Sequence, residues 1–223
     1  MRPSGARPDA SGERAESSGA LAPPRALLVD VGGVLVREYL PAAARDWGAR
    51  LGLTPGEFLA ALYDGDDDGV LIGRVSEEAW WATVGDRLGA GPEVIAALRR
   101  DLDARETWDG ELVGRLRGLR GTPGVRTAIV SNTWPRLRTR MARAGLLDLV
   151  DQLVLSCEVG CAKPDPRIFE LALRGTGVAP SRALFVDDTP GHVDVARELG
   201  LAGHVHTSVR GTLARVDEFL DEQ

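Results

Sequence analysis

The chain has 223 residues, with 27 Lys and Arg against 33 Asp and Glu, a formal net charge of −6 at pH 7. That balance argues against nucleic acid or an anionic membrane surface as a partner, and no run reaches the roughly 18 apolar residues that a membrane-crossing helix needs. A hydrophobic share of 43% is enough to bury a core, and the length suits one domain, or one domain with an insertion.

The first 24 residues, MRPSGARPDASGERAESSGALAPP, are rich in Ser, Gly, Pro and Arg and lack an apolar signal core. They are expected to form a disordered N-terminal tail (1–24) on a cytoplasmic protein. ALLVDV (26–31) follows, an apolar run with a lone carboxylate, Asp30, and then Gly32-Gly33. Residues 38–105 read as four helices: LPAAARDWGARLG, TPGEFLAALYDG, SEEAWWATVGDRLG and GPEVIAALRRDLDA. Thr54 and Ser76 have the look of capping hydroxyls, each followed by acids, and Gly52, Gly89 and Gly91 of helix stops. The aromatic residues Trp47, Phe58, Tyr63, Trp80, Trp81 and Trp108 are expected to pack in the core. DGDDDG (64–69) is an acidic turn expected to face water; it starts like a calcium loop but lacks the closing Glu.

Beyond residue 105 the pattern changes. TAIVSN (127–132), QLVLSC (152–157) and ALFVDD (183–188) are nearly continuous apolar runs, as strands buried on both faces should be. Amphipathic stretches separate them, and HVHT (204–207) is a candidate edge strand. Strand–helix alternation implies an α/β fold, a Rossmann-like parallel sheet flanked by helices. The expected organisation is a core of 25–37 and 106–223 with an inserted helical cap at 38–105. Cys157 and Cys161 are spaced C-x₃-C with no nearby His, and read as two small semi-buried residues, neither a disulfide nor a zinc site.

Open α/β sheets bind ligands at the carboxyl ends of their strands. Those ends carry Asp30, then Ser131-Asn132, then the loop to Lys163, then Asp187-Asp188. Each alone is compatible with a helix cap. Together they put a carboxylate nucleophile, a hydroxyl and amide, a cation and a carboxylate pair on one edge.

In that order, DVGGV (30–34), SNT (131–133), KPDP (163–166) and VDDTPGHVDVARELG (186–200) resemble the haloacid dehalogenase superfamily of hydrolases, over about 26–207. The helical insertion after the first motif is similar to that of members with a cap of the first type. The resemblance implies Mg²⁺-dependent hydrolysis of a small-molecule phosphate monoester through an aspartyl-phosphate on Asp30. Asp30, the Gly32 carbonyl and Asp188 are expected to hold Mg²⁺, with Asp187 orienting Lys163 or supporting the metal from behind. Val31, Gly32, Ser131 and Asn132 are expected to grip phosphoryl oxygens, and Lys163 to balance the charge of Asp30 and the phosphate. Pro135 should start a helix whose positive end faces the phosphate. Arg37 and Trp134 are expected to line the mouth, and His204 and His206 to be structural. The expected partners are the phosphorylated substrate and at most a second copy of the chain, monomer or homodimer, with no nucleic acid and no membrane.

One position departs from the pattern. Most phosphatases of this family place a second aspartate two residues after the nucleophile, and this chain has Gly32. General acid–base help contributes roughly 10²–10⁴-fold. Four explanations stay open: a substrate with a good leaving group; another acid, from Asp64–Asp68 or His192; a dehalogenase, in which Asp30 displaces halide and Arg37 holds a substrate carboxylate, although the usual aromatic is missing; or a non-catalytic phosphate-binding or interaction module.

Overall fold

The computed structural model describes residues 23–63 and 68–222. Residues 1–22 of the expected tail, and 64–67 of the acidic turn, lie outside that description. Among the described residues no helix is long and apolar enough to cross a membrane.

Five parallel strands, β1 (Arg25–Val29), β2 (Val125–Ser131), β3 (Gln152–Leu155), β4 (Ala183–Asp187) and β5 (Ala202–Val205), form one sheet in the order β3-β2-β1-β4-β5. The chain moves outward from β1 to β3, then crosses back to β4 and β5. The order therefore reverses between β1 and β4, and such a switch point opens a crevice at the strands' carboxyl ends. Asp30 leaves β1 and Asp187-Asp188 end β4, so the sequence puts carboxylates on both walls of that crevice. The edge strand begins two residues before the HVHT reading, because the ladder pairs Leu184 with Ala202 and ends at Asp187 with Val205.

The strands alternate side chains between two buried faces. Leu27, Val29, Ile129, Leu184 and Val186 pack against α6 (Gly110–Leu119), α7 (Arg136–Arg143) and α11 (Val209–Asp221). Ala26, Leu28, Ala128, Val130 and Phe185 pack against α9 (Pro166–Thr176) and α10 (Pro190–Glu198), with Phe169 meeting Phe185 edge-on at 5.0 Å. Burial on both faces is why these strands read as unbroken apolar runs.

Between β1 and α6 run α1 (Leu40–Leu51), α2 (Pro55–Tyr63), the single turn α3 (Asp68–Leu71), α4 (Glu77–Leu88) and α5 (Pro92–Arg105). A second turn, α8 (Ser156–Val159), follows β3. Thr54 and Glu57 form a reciprocal capping box: the Glu57 N–H donates to Thr54 Oγ1 (3.2 Å) and the Thr54 N–H to the Glu57 carboxylate (2.7 Å). Ser76 accepts from the Ala79 N–H, and Gly52 and Gly89 close α1 and α4. Gly91 departs from its reading as a stop: it is the N-cap of α5, because Pro92 begins that helix.

These helices bury their own cluster, including Trp47, Phe58, Trp80 and Trp81. Tyr63 is the exception among the aromatics expected in the core, at 43% exposure, and Trp108 is half-buried against the sheet's cluster instead. The chain leaves and re-enters through adjacent segments: Val36 bridges Trp108, the Arg37 N–H donates to Thr107 O and the Asp109 N–H to Leu35 O.

Candidate active site

The site grows from the end of β1. Asp30 is 8% exposed and follows five buried strand residues. The chain then folds under itself, with the Val36 N–H donating to Val31 O (2.8 Å) while Val34, Leu35 and Val36 stay buried. Gly33 makes that turn possible. Its φ is +70°, and a Cβ there would stand 1.9 Å from Asp188 Oδ2. Gly33→Ala is therefore expected to displace Asp188, to lower stability by about 1–2 kcal/mol from backbone strain alone, and to cost most of the activity. Thermal melts and turnover read both, and wild-type activity in this variant would contradict the assignment of Asp188 to the site.

Lys163 is the centre of the charge arrangement. Its ammonium is fully buried, 2.5 Å from Asp187 Oδ2 and 2.9 Å from Asp30 Oδ1. Asp187 is held from every side: it also accepts from the Thr189 N–H (2.8 Å) and from His192 Nδ1 (3.2 Å to each oxygen). Burial raises the Asp187 carboxyl, but the His192 hydrogen bond and the Lys163 charge outweigh it and hold the group below the usual carboxylate range. Burial pushes Asp30 up against the pull of Lys163, and burial together with Asp187 pushes Asp188 up.

Oxygen atoms of Asp30, Asp187 and Asp188 lie within 4.8 Å of one another. Among these three carboxylates there is one ammonium, and Asp30 Oδ1, though beside it, is buried without a hydrogen-bond partner. An all-oxygen donor set with excess negative charge and an unsatisfied buried oxygen fits a hard divalent cation such as Mg²⁺.

Ser131 is 2% exposed at the end of β2. Asn132 does something the sequence did not reveal. Its side-chain amide donates to Lys163 O (2.8 Å) and accepts from the Lys163 N–H (2.7 Å), so it pins the lysine's backbone. That leaves the Asn132 backbone, not its side chain, for an oxyanion. Asn132→Ala should lower kcat about 10–100-fold, the usual cost of removing a supporting partner, with a smaller change in KM. An effect confined to KM would point to direct substrate contact instead. Pro135 precedes α7 as expected and is its N-cap residue.

Val31, Gly32, Ser131, Asn132 and Asp188 share one cavity of about 350 Å³. Arg37 and Trp134 line it as well, and Arg37 also pairs with Asp109 at 3.3 Å. Tyr39, Glu106, Arg136 and Arg140, which no sequence motif marks, also line the cavity. The signal was the i, i+4 spacing of Arg136 and Arg140, which puts both on one face of α7. His192 is not among the lining residues; it lies beneath Asp187 and serves that carboxylate. His204 and His206 both bond Thr212 Oγ1, at 3.1 and 2.8 Å, and burial lowers the pKa of each. Cys157 and Cys161 are free, with burial raising the Cys157 thiol to about 11.

A parallel sheet with a nucleophile-type carboxylate at its switch point, met by a buried lysine and a carboxylate pair, defines a hydrolase of the α/β class. Residues 24–200 match the family model of the haloacid dehalogenase-like hydrolases, and the chain belongs to that family. Validoxylamine A 7'-phosphate phosphatase of Streptomyces hygroscopicus subsp. limoneus is 31% identical over 170 residues, 70% of this chain and 78% of that protein. A HAD-like family hydrolase of Porphyromonas gingivalis superposes with a TM-score of 0.71 at 25% identity, over 91% of this chain and all of the other. A HAD family enzyme of Bacteroides thetaiotaomicron, in complex with magnesium and inorganic phosphate, superposes at 0.66 with 22% identity, over 83% and 96% of the two chains. Other curated relatives are far longer: the chain spans 35% of bifunctional epoxide hydrolase 2 of Sus scrofa, at 29% identity over 80% of its own length.

Proposed function

We propose that the chain is a Mg²⁺-dependent phosphatase acting on small phosphate monoesters through an aspartyl-phosphate. The observation that carries this reading is the buried Lys163 between Asp30 and Asp187, with Asp188 alongside. That arrangement holds a carboxylate ready to attack a dianion. The phosphatase relative and the magnesium–phosphate complex of a fold relative support the same chemistry.

Asp30, the Gly32 carbonyl and Asp188 would hold Mg²⁺, with Asp187 behind them. The cation would offset the repulsion between the carboxylate and the phosphate. Asp30 attacks phosphorus, the P–O bond to the leaving group breaks, and the departing oxygen takes a proton from water. Water then attacks the phosphorus of the aspartyl-phosphate, releasing phosphate and restoring Asp30. Lys163 holds Asp30 in line and balances the charge, and Ser131 Oγ with the backbone N–H groups beside it and after Asp30 binds the phosphoryl oxygens. The reading divides the chain into a core (25–37 and 106–223) and a cap (38–105) that covers the cavity. A cavity of about 350 Å³ is at the small end of ligand sites, so the substrate is small.

No side chain at Gly32 protonates the leaving group, so acyl phosphates and anomeric sugar phosphates are favoured over simple alkyl phosphates. Phosphate release from such a panel, with and without chelator, tests the reading. Turnover that needs both Asp30 and Mg²⁺ and runs fastest on the better leaving groups supports it. Halide release from a 2-haloacid that persists in chelator, with no phosphate release, overturns it in favour of a dehalogenase.

A further inference from the structure

The cavity lining outside the carboxylate cluster carries information about the rest of the substrate. Tyr39 comes from the approach to α1, Glu106 from the residue after α5, and Arg136 and Arg140 from one face of α7. Arg140 pairs with Glu106, and both are largely buried. Tyr39 lines the same cavity as Arg140. Arg136 Nη1 lies 2.9 Å from Asp103 Oδ1 and its Nε 3.7 Å from Glu77 Oε1. Arg138, between the two on the helix, turns away to Glu158.

Among the described residues, each guanidinium lining the cavity has a carboxylate within ion-pair reach, although Arg136 Nε and Nη1 are buried without a hydrogen bond. The charged lining residues are Arg37, Arg136 and Arg140 against Glu38, Glu106 and Asp188, with Arg37 held by Asp109 and Arg136 by Asp103. A second anionic group on the substrate would compete with Glu106 and Asp103 for these guanidinium groups, and displacing either leaves a carboxylate without its cation, which is costly. An intact ion pair beside a phenol offers something else: N–H donors and carboxylate acceptors a few ångströms apart, with a hydroxyl that does both. Neighbouring hydroxyl groups need that pattern, each donating once and accepting once. Trp134 and Leu71 add apolar surface for carbon-bound hydrogens.

We propose that the leaving group is a neutral polyhydroxylated compound, a sugar, whose hydroxyls are read by Tyr39, Glu106 and Arg140. The proposal rests on the phosphatase reading above and adds the substrate class to it.

The test uses hydrolysis of p-nitrophenyl phosphate, an activated ester that needs no acid at Gly32, by the full chain with Mg²⁺. Sorbitol 6-phosphate, ribose 5-phosphate, phosphoserine, phosphoglycolate and propyl phosphate are added as competitors. The expected result is an inhibition constant about tenfold or more lower for the two polyhydroxylated esters than for the other three. That ratio should collapse toward one in Glu106→Gln and in Tyr39→Phe. Taking the ratio to propyl phosphate within each variant removes any loss of active protein. Tighter binding of phosphoserine or phosphoglycolate, or a ratio unchanged in both variants, overturns the proposal while the phosphatase reading stands. Absence of Asp30-dependent p-nitrophenyl phosphate hydrolysis overturns that reading, and the proposal with it.

Discussion

Asp30→Asn should abolish turnover, by roughly 10⁴–10⁶-fold, as removal of a nucleophile does in other enzymes with covalent intermediates. The fold should survive. The substitution keeps the side chain's shape and removes one of three carboxylates gathered around a single ammonium. Lys163 keeps Asp187 as its partner at 2.5 Å. In metal-free buffer the melting temperature is expected to stay level or rise, because burial opposes the Asp30 charge. Added Mg²⁺ should raise the wild-type melting temperature, since a ligand that binds only the native state stabilises it, and should raise the variant's less. Loss of activity accompanied by a large fall in melting temperature would mean instead that Asp30 is chiefly structural.

Gly32→Asp is the converse experiment, a gain. A Cβ at Gly32 meets nothing within 4 Å, and Gly32 is not among the residues with positive φ. An aspartate can enter there without moving the backbone, unlike at Gly33. If leaving-group protonation is what the chain lacks, kcat on alkyl phosphates should rise by about 10²-fold or more, within the range of general acid catalysis. Acyl phosphates, whose leaving carboxylate needs no proton, should gain far less. Equal gains on both classes, or none, would contradict the explanation. The variant adds a further carboxylate beside Asp30 and Asp188, so its Mg²⁺ requirement should become steeper.

What the sequence shows of this fold, and what it hides, depends on how far apart in the chain the partners lie. Strands buried on both faces must be apolar throughout, so the runs ending at Asp30, Ser131 and Asp187 announce themselves, and the sheet edge then collects the charged groups. Asn132 is also visible, but its clamp on the Lys163 backbone spans 31 residues and no local pattern encodes it. His192 looks like a free acid because nothing in its neighbourhood shows that Asp187 takes its Nδ1. The arginines of α7 lie in a stretch that reads only as amphipathic. Two of them become cavity wall only because α5 and the segment after it bring Asp103 and Glu106 against that face. Gly91 differs from its reading as a stop for a simpler reason: glycine occurs at both helix ends, and the proline after it settles which.

Acid-quenched mass spectrometry during turnover of acetyl phosphate with Mg²⁺ puts the proposed chemistry to its most direct test. The expected result is a phosphoryl mass increment on the peptide carrying Asp30, absent in chelator and absent in Asp30→Asn. Turnover with no such adduct on that peptide, retained by Asp30→Asn, would contradict an aspartyl-phosphate on Asp30.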